Sequence, residues 1–249
     1  NNLSYTIGLT RNNTYNDPIY PTGGSNFSAS AKLSFPYSLV NGVDYAALKQ
    51  ERDGLDPVAD IERIGEIDQE RFKWLEFYKV KFKADWYAEV VKKLVLRPSV
   101  EFGFLGEYNN ERGVIPFERF FLGGDGLGNF ALDGREVIQL RGYPNQSLSS
   151  QDGGSIYNKF SLELRYPVSL KPSASVFALT FLESGNGFDN FKDYSPFDLK
   201  RSAGIGVRVF MPAFGLLGID FGYGFDSTDL SNTGQPSGWQ THFVIGQQF

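Results

Sequence analysis

A strict alternation of apolar and polar residues, repeated along most of the chain, constrains the fold more than any other feature of this sequence. It is clearest in residues 217–226, where an apolar set alternates with glycine and aspartate. That apolar set is Leu217, Ile219, Phe221, Tyr223 and Phe225. Successive side chains of a β-strand point to opposite faces of a sheet, so this period of two predicts a strand with one apolar and one polar face.

The same pattern recurs and predicts nine strands. They lie near residues 3–10, 27–36, 74–91, 94–108, 157–167, 174–183, 201–211, 216–226 and 239–249. Long connections at 37–73, 109–156, 184–200 and 227–238 alternate with shorter ones. Short turns on one rim and long loops on the other are typical of outer-membrane barrels. We therefore predict an all-β fold, a transmembrane antiparallel β-barrel integral to the bacterial outer membrane, with residues 1–249 in a single barrel domain.

Composition separates this prediction from a soluble β-sandwich or a lipocalin-like barrel, whose strands also alternate. The 249 residues include 28 glycines, 23 phenylalanines and 13 tyrosines. A membrane barrel uses aromatic rings toward lipid and tolerates glycine on its crowded lumen side. The polar faces here carry glycine, serine and isolated charges, whereas an exposed soluble sheet carries many lysines and glutamates. Composition therefore favours the membrane barrel.

Several function classes are disfavoured by what the sequence contains. A net charge of −5 offers no basic surface for nucleic acid, and the absence of cysteine removes disulfides and thiolate metal sites. No apolar run approaches the roughly 18 residues of a membrane-spanning helix. His242 is the single histidine and is predicted to be a lumen-facing wall residue. We expect no enzymatic activity and no cofactor.

The number of predicted strands suggests that the barrel extends beyond this sequence. Single-chain bacterial barrels have an even number of strands, and nine is odd. An unpaired strand edge is also costly in lipid, where no water satisfies the backbone. We therefore expect further strands to precede Asn1 and this chain to form the C-terminal portion of a larger barrel.

Six short segments, taken in order, resemble the motifs of the BamA superfamily (bacterial surface antigens). They are Tyr20-Pro21-Thr22-Gly23-Gly24, Arg119-Phe120-Phe121-Leu122-Gly123-Gly124, Arg141-Gly142-Tyr143, the strand segments Ser161-Leu162-Glu163 and Arg201-Ser202-Ala203-Gly204, and the C-terminal Phe243–Phe249. The glycine spacing from Gly123 onward is most similar to the Bacteroidota form of the family. The resemblance implies about nine C-terminal strands of a sixteen-stranded barrel.

The resemblance also implies a site. Arg141, Gly142 and Tyr143 would lie on a loop folded into the lumen, where Arg141 would pair with Glu163 and Glu183. Alternation places Glu163 on the polar face, but Glu183 has the parity of apolar neighbours. A bulge near the strand end would restore Glu183 to the lumen face. Gly123 and Gly124 are expected as backbone-permissive loop positions. A phosphate-binding loop is disfavoured because no Lys-Ser/Thr pair follows these glycines.

The function that the resemblance implies is that of a core insertase, which folds β-barrel proteins into the outer membrane. Substrate strands would enter at a lateral seam formed by the last strand, with Phe243, Ile245, Gly246 and Phe249. The implied partners are unfolded barrel substrates, outer-membrane lipids and accessory lipoproteins of an assembly complex. The alternative is a polypeptide-secreting transporter of the same superfamily. A porin or a surface adhesin is a more distant possibility.

Overall fold

The computed structural model describes residues 2–15, 17–127, 135–171, 173–229 and 234–246. Its strands, in chain order, are β1 (Ser4–Asn12), β2 (Gly23–Ser34), β3 (Tyr78–Val91), β4 (Leu94–Gly106), β5 (Phe120–Leu122), β6 (Glu136–Ile138), β7 (Ile156–Lys171), β8 (Ala174–Phe188), β9 (Lys200–Met211), β10 (Gly215–Ser227) and β11 (Pro236–Gly246). Nine of them form one antiparallel sheet in the order β1-β2-β3-β4-β7-β8-β9-β10-β11. The short strands β5 and β6 form a separate parallel pair. The predicted nine-stranded antiparallel sheet is confirmed.

Several predicted strand ends are wrong. β3 begins at Tyr78 rather than near residue 74. β2 already begins at Gly23, because Gly23 and Gly24 pair with β3. β8 continues to Phe188, because its glycine-rich end pairs with β7 along its full length. β7 runs through Pro167 to Lys171, with a shift of register between Pro167 and Ser169. A bulge is one of the few places in a sheet that accommodates proline, which has no N–H to donate.

The first long connection carries two helices, α1 (Tyr45–Asp53) and α2 (Ile61–Arg71). Asp44 caps α1 by accepting a hydrogen bond from the Ala47 backbone N–H at 3.0 Å. An N-cap carboxylate satisfies an amide that has no partner within the helix. Two 3₁₀ turns, Tyr37–Leu39 and Phe191–Asp193, lie in other parts of the long connections. No helix in the described ranges is long and apolar enough to cross a membrane.

The outer face of the sheet is apolar and exposed. Its exposed side chains include Tyr5, Ile7, Leu9, Val80, Phe82, Trp86, Leu162, Tyr166, Leu182, Ile205, Phe221, Phe225, Trp239, Phe243 and Ile245. They come from β1, β3 and β7 to β11, so the apolar surface extends across most of the sheet. A continuous band of this kind is the surface that a transmembrane barrel presents to lipid.

The inner face is covered by the long connection between β4 and β7. The largest buried cluster joins residues of this connection to inward-facing residues of the neighbouring strands. Its members are Phe77, Leu105, Ile115, Phe120, Leu122, Ile138, Leu140, Tyr143, Leu148 and Tyr157. A second cluster lies nearer the short turns and contains Tyr20, Val95, Phe177, Leu179 and Phe181. The interior of the sheet is therefore packed, and the connection that packs it is the candidate site.

Candidate functional site

We call the described parts of the β4–β7 connection, residues 107–127 and 135–155, the inner loop. Because β4 and β7 pair directly, the inner loop leaves and rejoins the sheet at adjacent strands. Its own backbone holds it together through the β5–β6 pair and further bonds, such as Gly123 N–H to Ile138 O at 3.0 Å. Leu148 N–H donates to Leu122 O, also at 3.0 Å. The inner loop is therefore a hydrogen-bonded unit.

Gly123 and Gly124 make the two motif segments of the inner loop pack against each other. Both have positive φ, at 121° and 85°, a region that favours glycine. A Cβ added to Gly123 would lie 2.7 Å from the Pro144 carbonyl oxygen, and one added to Gly124 would lie 2.6 Å from the Asn145 Cα. Since Pro144 and Asn145 follow the Arg141-Gly142-Tyr143 tripeptide directly, the glycines allow its close approach.

Arg141 is the centre of a buried network of charges. Its Nη2 lies 2.8 Å from Glu163 Oε1 and 2.7 Å from Glu183 Oε1, and its Nη1 lies 3.4 Å from Asp220 Oδ2. Its backbone N–H also donates to Glu183 Oε2 at 2.9 Å. The residue is 2% exposed. One guanidinium therefore bridges three strands, β7, β8 and β10, through their carboxylates.

Arg141 remains charged in this position. Burial opposes its charge, but the carboxylates of Glu183 and Glu163 outweigh burial and raise the pKa of the guanidinium. A planar fork of donors suits carboxylates, and hydrogen bonds of this type are the strong ones. Removal of one partner of a buried ion pair leaves an uncompensated charge, which typically costs about 3–5 kcal/mol. The tripeptide is therefore firmly held.

Neighbouring strands contribute further arginines to the same network. Arg97 of β4 contacts Asp85 at 2.6 Å and Glu163 at 3.0 Å. The Nε of Arg165 donates to Glu163 Oε2 at 2.8 Å. Arg208 of β9 lies 2.6 Å from Asp220. Each carboxylate that Arg141 contacts on β7 and β10 is thus shared with at least one further arginine, which helps to hold the carboxylate in place.

The bulge expected near Glu183 is absent, and this part of the prediction is wrong. The register shift of the β7–β8 pair lies between Pro167 and Ser169, at the other end of the strand. Glu183 instead shares the inner face with Phe181, whose ring centroid lies 3.7 Å from the Arg141 guanidinium carbon. A ring face attracts a guanidinium, so an apolar residue is suitable beside this carboxylate. The inner face of β8 is largely apolar, with Phe177, Leu179 and Phe181 on the same side as Glu183.

Gly142 lies directly on the glycine-rich inner face of β10. It has a φ of 87°, and a Cβ added to it would lie 2.8 Å from Ser202 Cβ. A Cβ at Gly222 would lie 2.7 Å from the Gly142 nitrogen, and one at Gly224 would lie 2.4 Å from its oxygen. The alternating glycines of β10 therefore make room for the backbone of the inner loop.

Tyr143 and Gly142 attach the tripeptide to the two remaining strands of this wall. The Tyr143 hydroxyl donates to the Arg201 carbonyl of β9 at 2.6 Å. Burial raises the pKa of Tyr143, so the hydroxyl keeps the proton that it donates. The Gly142 N–H donates to His242 Nε2 of β11 at 2.8 Å. His242 faces the interior, as predicted, but no sequence pattern indicated this bond.

The opposite wall holds the inner loop with reversed charges, which the sequence reasoning missed. Lys79 of β3 lies 2.6 Å from Glu136 and 3.3 Å from Glu118. Lys81 lies 2.9 Å from Glu136, and Lys32 of β2 forms an ion pair with Glu118. The row of lysines on the polar face of β3 is the sequence feature that could have predicted these contacts. The loop thus presents carboxylates to β2 and β3, and a guanidinium to β7, β8 and β10.

The residues predicted at the seam lie on the last strand, away from this network. Phe243 and Ile245 point outward and are 54% and 57% exposed. Gly246 is the last described residue of β11 and pairs with Leu216. Within the described ranges, β11 pairs only with β10, so its other edge has no strand partner. Phe249 lies outside the described residues.

The chemistry of the site is that of attachment. The carboxylates described above, on Glu118, Glu136, Glu163, Glu183 and Asp220, are bound by arginine or lysine. In the part of the chain that the structure describes, no group of three or more His, Cys, Asp or Glu is placed to hold a metal ion. The arrangement fixes a long connection inside a sheet, with cationic and anionic contacts on opposite walls.

Comparison with known proteins gives the family. The Omp85 superfamily domain matches residues 1–249. Among solved structures, BamA from Haemophilus ducreyi lacking POTRA domains 1–3 matches with a TM-score of 0.62 and 18% sequence identity, covering 97% of this chain and 41% of that one. The chain thus spans less than half of that structure. No curated protein sequence matches. Because the family match covers the whole sequence, the chain belongs to the Omp85 superfamily and is an integral β-barrel protein of the outer membrane.

Proposed function

We propose that the parent protein is an insertase that folds and inserts β-barrel proteins into the outer membrane. The observation that carries the proposal is the inner loop, which Arg141 fixes to Glu163, Glu183 and Asp220. A loop bound in this way fills the interior of the sheet and leaves the edge of the last strand as the place where a substrate can bind.

The lateral seam lies at the outer edge of β11. A last strand released from its neighbour in the complete barrel presents a row of N–H and C=O groups, to which an extended segment can add as a further strand. Phe243 and Ile245 flank this edge with apolar, lipid-facing surface. Gly246 has no side chain with which to pack, which weakens pairing with any neighbour. A weakly paired last strand favours exchange with an incoming strand.

The partners follow from this activity. The substrates are unfolded outer-membrane barrels, and outer-membrane lipids cover the apolar outer face. Accessory lipoproteins of a BAM-type assembly complex are further proposed partners, bound to parts of the parent protein. The glycine spacing after Gly123 suggests a member from Bacteroidota. The activity needs no cofactor, catalytic group or nucleic acid, because strand pairing and apolar burial supply the driving force.

A polypeptide-secreting transporter of the same superfamily is the second candidate. The observation that favours it is a polar cavity of about 350 Å³ beside the short turns. Its lining includes Lys83, Asp85, Arg97, Arg165 and Arg208. A chain could pass along this surface if the inner loop moved aside. The insertase requires no such movement, because its substrate binds at β11.

The experiment uses the full-length parent protein in liposomes, to which an unfolded outer-membrane barrel is added. Conversion of the barrel to its folded, protease-resistant form is followed over time. We expect the parent protein to accelerate folding, and Arg141→Ala to reduce the rate about tenfold, which corresponds to about 1.4 kcal/mol in the barrier.

Arg63→Ala is the matched control. Arg63 also contacts two carboxylates, Glu51 at 2.6 Å and Glu66 at 2.9 Å, but it lies on the exposed helix α2. It should leave the folding rate unchanged. If correctly folded parent protein gives no acceleration, the insertase is excluded. Transfer of an unfolded polypeptide into the vesicles would then support secretion.

A further inference from the structure

Three consecutive residues of the inner loop are attached to five consecutive strands. Arg141 contacts carboxylates of β7, β8 and β10, and the Tyr143 hydroxyl donates to the backbone of β9. Gly142 completes the set through its hydrogen bond to His242 on β11. The attachment to β11 differs from the others, because it joins a loop amide to a single neutral acceptor. It also joins the loop to the strand at which the proposed seam lies.

We propose that His242 is a positioning residue that couples the last strand to the inner loop. The inference rests on the proposed function, since it assigns a role to the seam strand. As long as β11 stays in register with β10, His242 lies beside Asp220 and accepts the Gly142 N–H. Movement of β11 away from this position breaks the bond. The state of the seam is thereby linked to the order of the tripeptide.

The Gly142 amide depends on His242 because its surroundings are closed. A Cβ added to Gly222 would lie 2.7 Å from the Gly142 nitrogen, so the amide lies close against β10. A Cβ added to Gly142 itself would lie 2.8 Å from Ser202 Cβ. His242 is 4% exposed. Loss of the acceptor would leave a buried N–H without a hydrogen-bond partner. Such a loss destabilises the folded state by more than the net contribution of the bond, because water does not replace the acceptor.

Protonation of the imidazole has the same consequence as removal of the acceptor. Nε2 accepts only in the neutral tautomer with its proton on Nδ1, whereas an imidazolium donates from both nitrogens. The charged groups that act on His242 are Asp125, Asp220 and Glu183, together with Arg141. Asp220 is held by Arg208, and Glu183 by Arg141. A protonated His242 would therefore direct an N–H toward the Gly142 N–H, and the coupling would be lost.

The experiment measures hydrogen–deuterium exchange in the full-length parent protein in lipid nanodiscs. Mass spectrometry follows two segments, residues 140–148 of the inner loop and 236–246 of β11. His242→Phe keeps a ring but has no acceptor, whereas His242→Gln keeps an acceptor that does not titrate. Gln240→Ala is the control, because Gln240 lies two residues away on the same strand and its side chain donates to the nearby Ser237 carbonyl.

We expect His242→Phe to accelerate exchange at least about tenfold in both segments, whereas His242→Gln and Gln240→Ala resemble the natural protein. Lowering the pH from about 7.5 to about 4.5 should loosen both segments in the natural protein, after correction for intrinsic exchange, and should not do so in His242→Gln. If His242→Phe does not fold, this pH comparison decides the question.

Two results would overturn the coupling. One is unchanged exchange in both segments of folded His242→Phe, and the other is loosening of one segment without the other. The liposome folding assay is read separately. Coupling seen in a protein that does not accelerate barrel folding would leave the role of His242 intact and remove the insertase. Accelerated barrel folding without coupling between the two segments would support the insertase and remove the role of His242.

Discussion

Glu183 receives more hydrogen bonds from the inner loop than any other side chain described above. It accepts from Arg141 Nη2 at 2.7 Å and from the Arg141 backbone N–H at 2.9 Å. Ser161 and Lys159 lie 3.2 Å and 3.6 Å from the same carboxylate oxygen. A single carboxylate therefore binds both the side chain and the backbone of Arg141. Its charge should make a large contribution to the free energy of unfolding.

Glu183→Gln preserves the size of the side chain and removes its charge. Arg141 then loses its best partner in a buried position, and we expect a loss of about 3 kcal/mol in the free energy of unfolding. Urea unfolding in liposomes, followed by tryptophan fluorescence, measures this loss. Glu66→Gln is the control, because its surface pair with Arg63 should contribute less than about 1 kcal/mol. Equal effects of the two substitutions would contradict this account of the network.

The glycines of β10 give a second prediction at the scale of single residues. A Cβ at Gly224 would lie 2.4 Å from the Gly142 carbonyl oxygen, so Gly224→Ala should displace the tripeptide and lower stability by about 1–3 kcal/mol. Gly65→Ala on α2 meets open space and should increase stability by up to about 1 kcal/mol. The same unfolding measurement compares them. A harmless Gly224→Ala would show that the tripeptide does not lie against β10.

At the scale of elements, the inner loop connects two walls of opposite charge. Glu118 and Glu136 attach it to the lysines of β2 and β3, and Arg141 attaches it to the carboxylates of β7, β8 and β10. The alternation of β7 predicted correctly that Glu163 faces inward. It failed for β8, where a largely apolar inner face serves the guanidinium and breaks the rule that polar residues face the lumen.

The glutamate contacts predict a dependence on acid. Burial opposes the charges of Glu118 and Glu136, but nearby lysines outweigh burial and lower the pKa of each glutamate below 4.5. These lysines are Lys32 and Lys79 for Glu118, and Lys79 and Lys81 for Glu136. A lowered pKa in the folded state stabilises the protein above the unfolded value. This contribution is complete above about pH 4.5 and is lost as the pH falls through the folded pKa.

Hydrogen exchange of residues 114–122 between about pH 6 and pH 3 tests this prediction. We expect constant protection down to about pH 4.5 and a progressive loss below it, after correction for intrinsic exchange. Glu136→Gln should reduce the acid-dependent part, because this side chain no longer titrates. Protection that falls mainly above pH 5, or an unchanged profile in Glu136→Gln, would contradict the role of these contacts.

At the scale of the whole molecule, alternation and loop lengths were sufficient to predict the barrel fold, and the motifs were sufficient to predict the resemblance to the BamA superfamily. The Omp85 match over residues 1–249 and the structural similarity to BamA confirm both. Contacts between distant residues could not be predicted in this way. His242 accepts from an amide 100 residues away in the sequence, and a backbone donor leaves no pattern in side-chain types.

We expect the inner loop to stay bound to the wall while a substrate strand binds at β11. A disulfide between the loop and β8 tests it. A Cβ built on Gly187 lies 3.9 Å from Leu122 Cβ, within the range that disulfides require. Gly187→Cys with Leu122→Cys should therefore lock the loop to the strand in a full-length parent protein free of other cysteines.

The measurement is the rate of barrel folding in liposomes by the oxidised and the reduced double variant, with each single variant as control. We expect the oxidised and the reduced double variant to fold the barrel at rates within about twofold of each other, because the locked loop is already in its working position. Loss of activity on oxidation, restored by a reductant, would mean that the loop must leave the wall, as the secretion alternative requires, and would contradict the account.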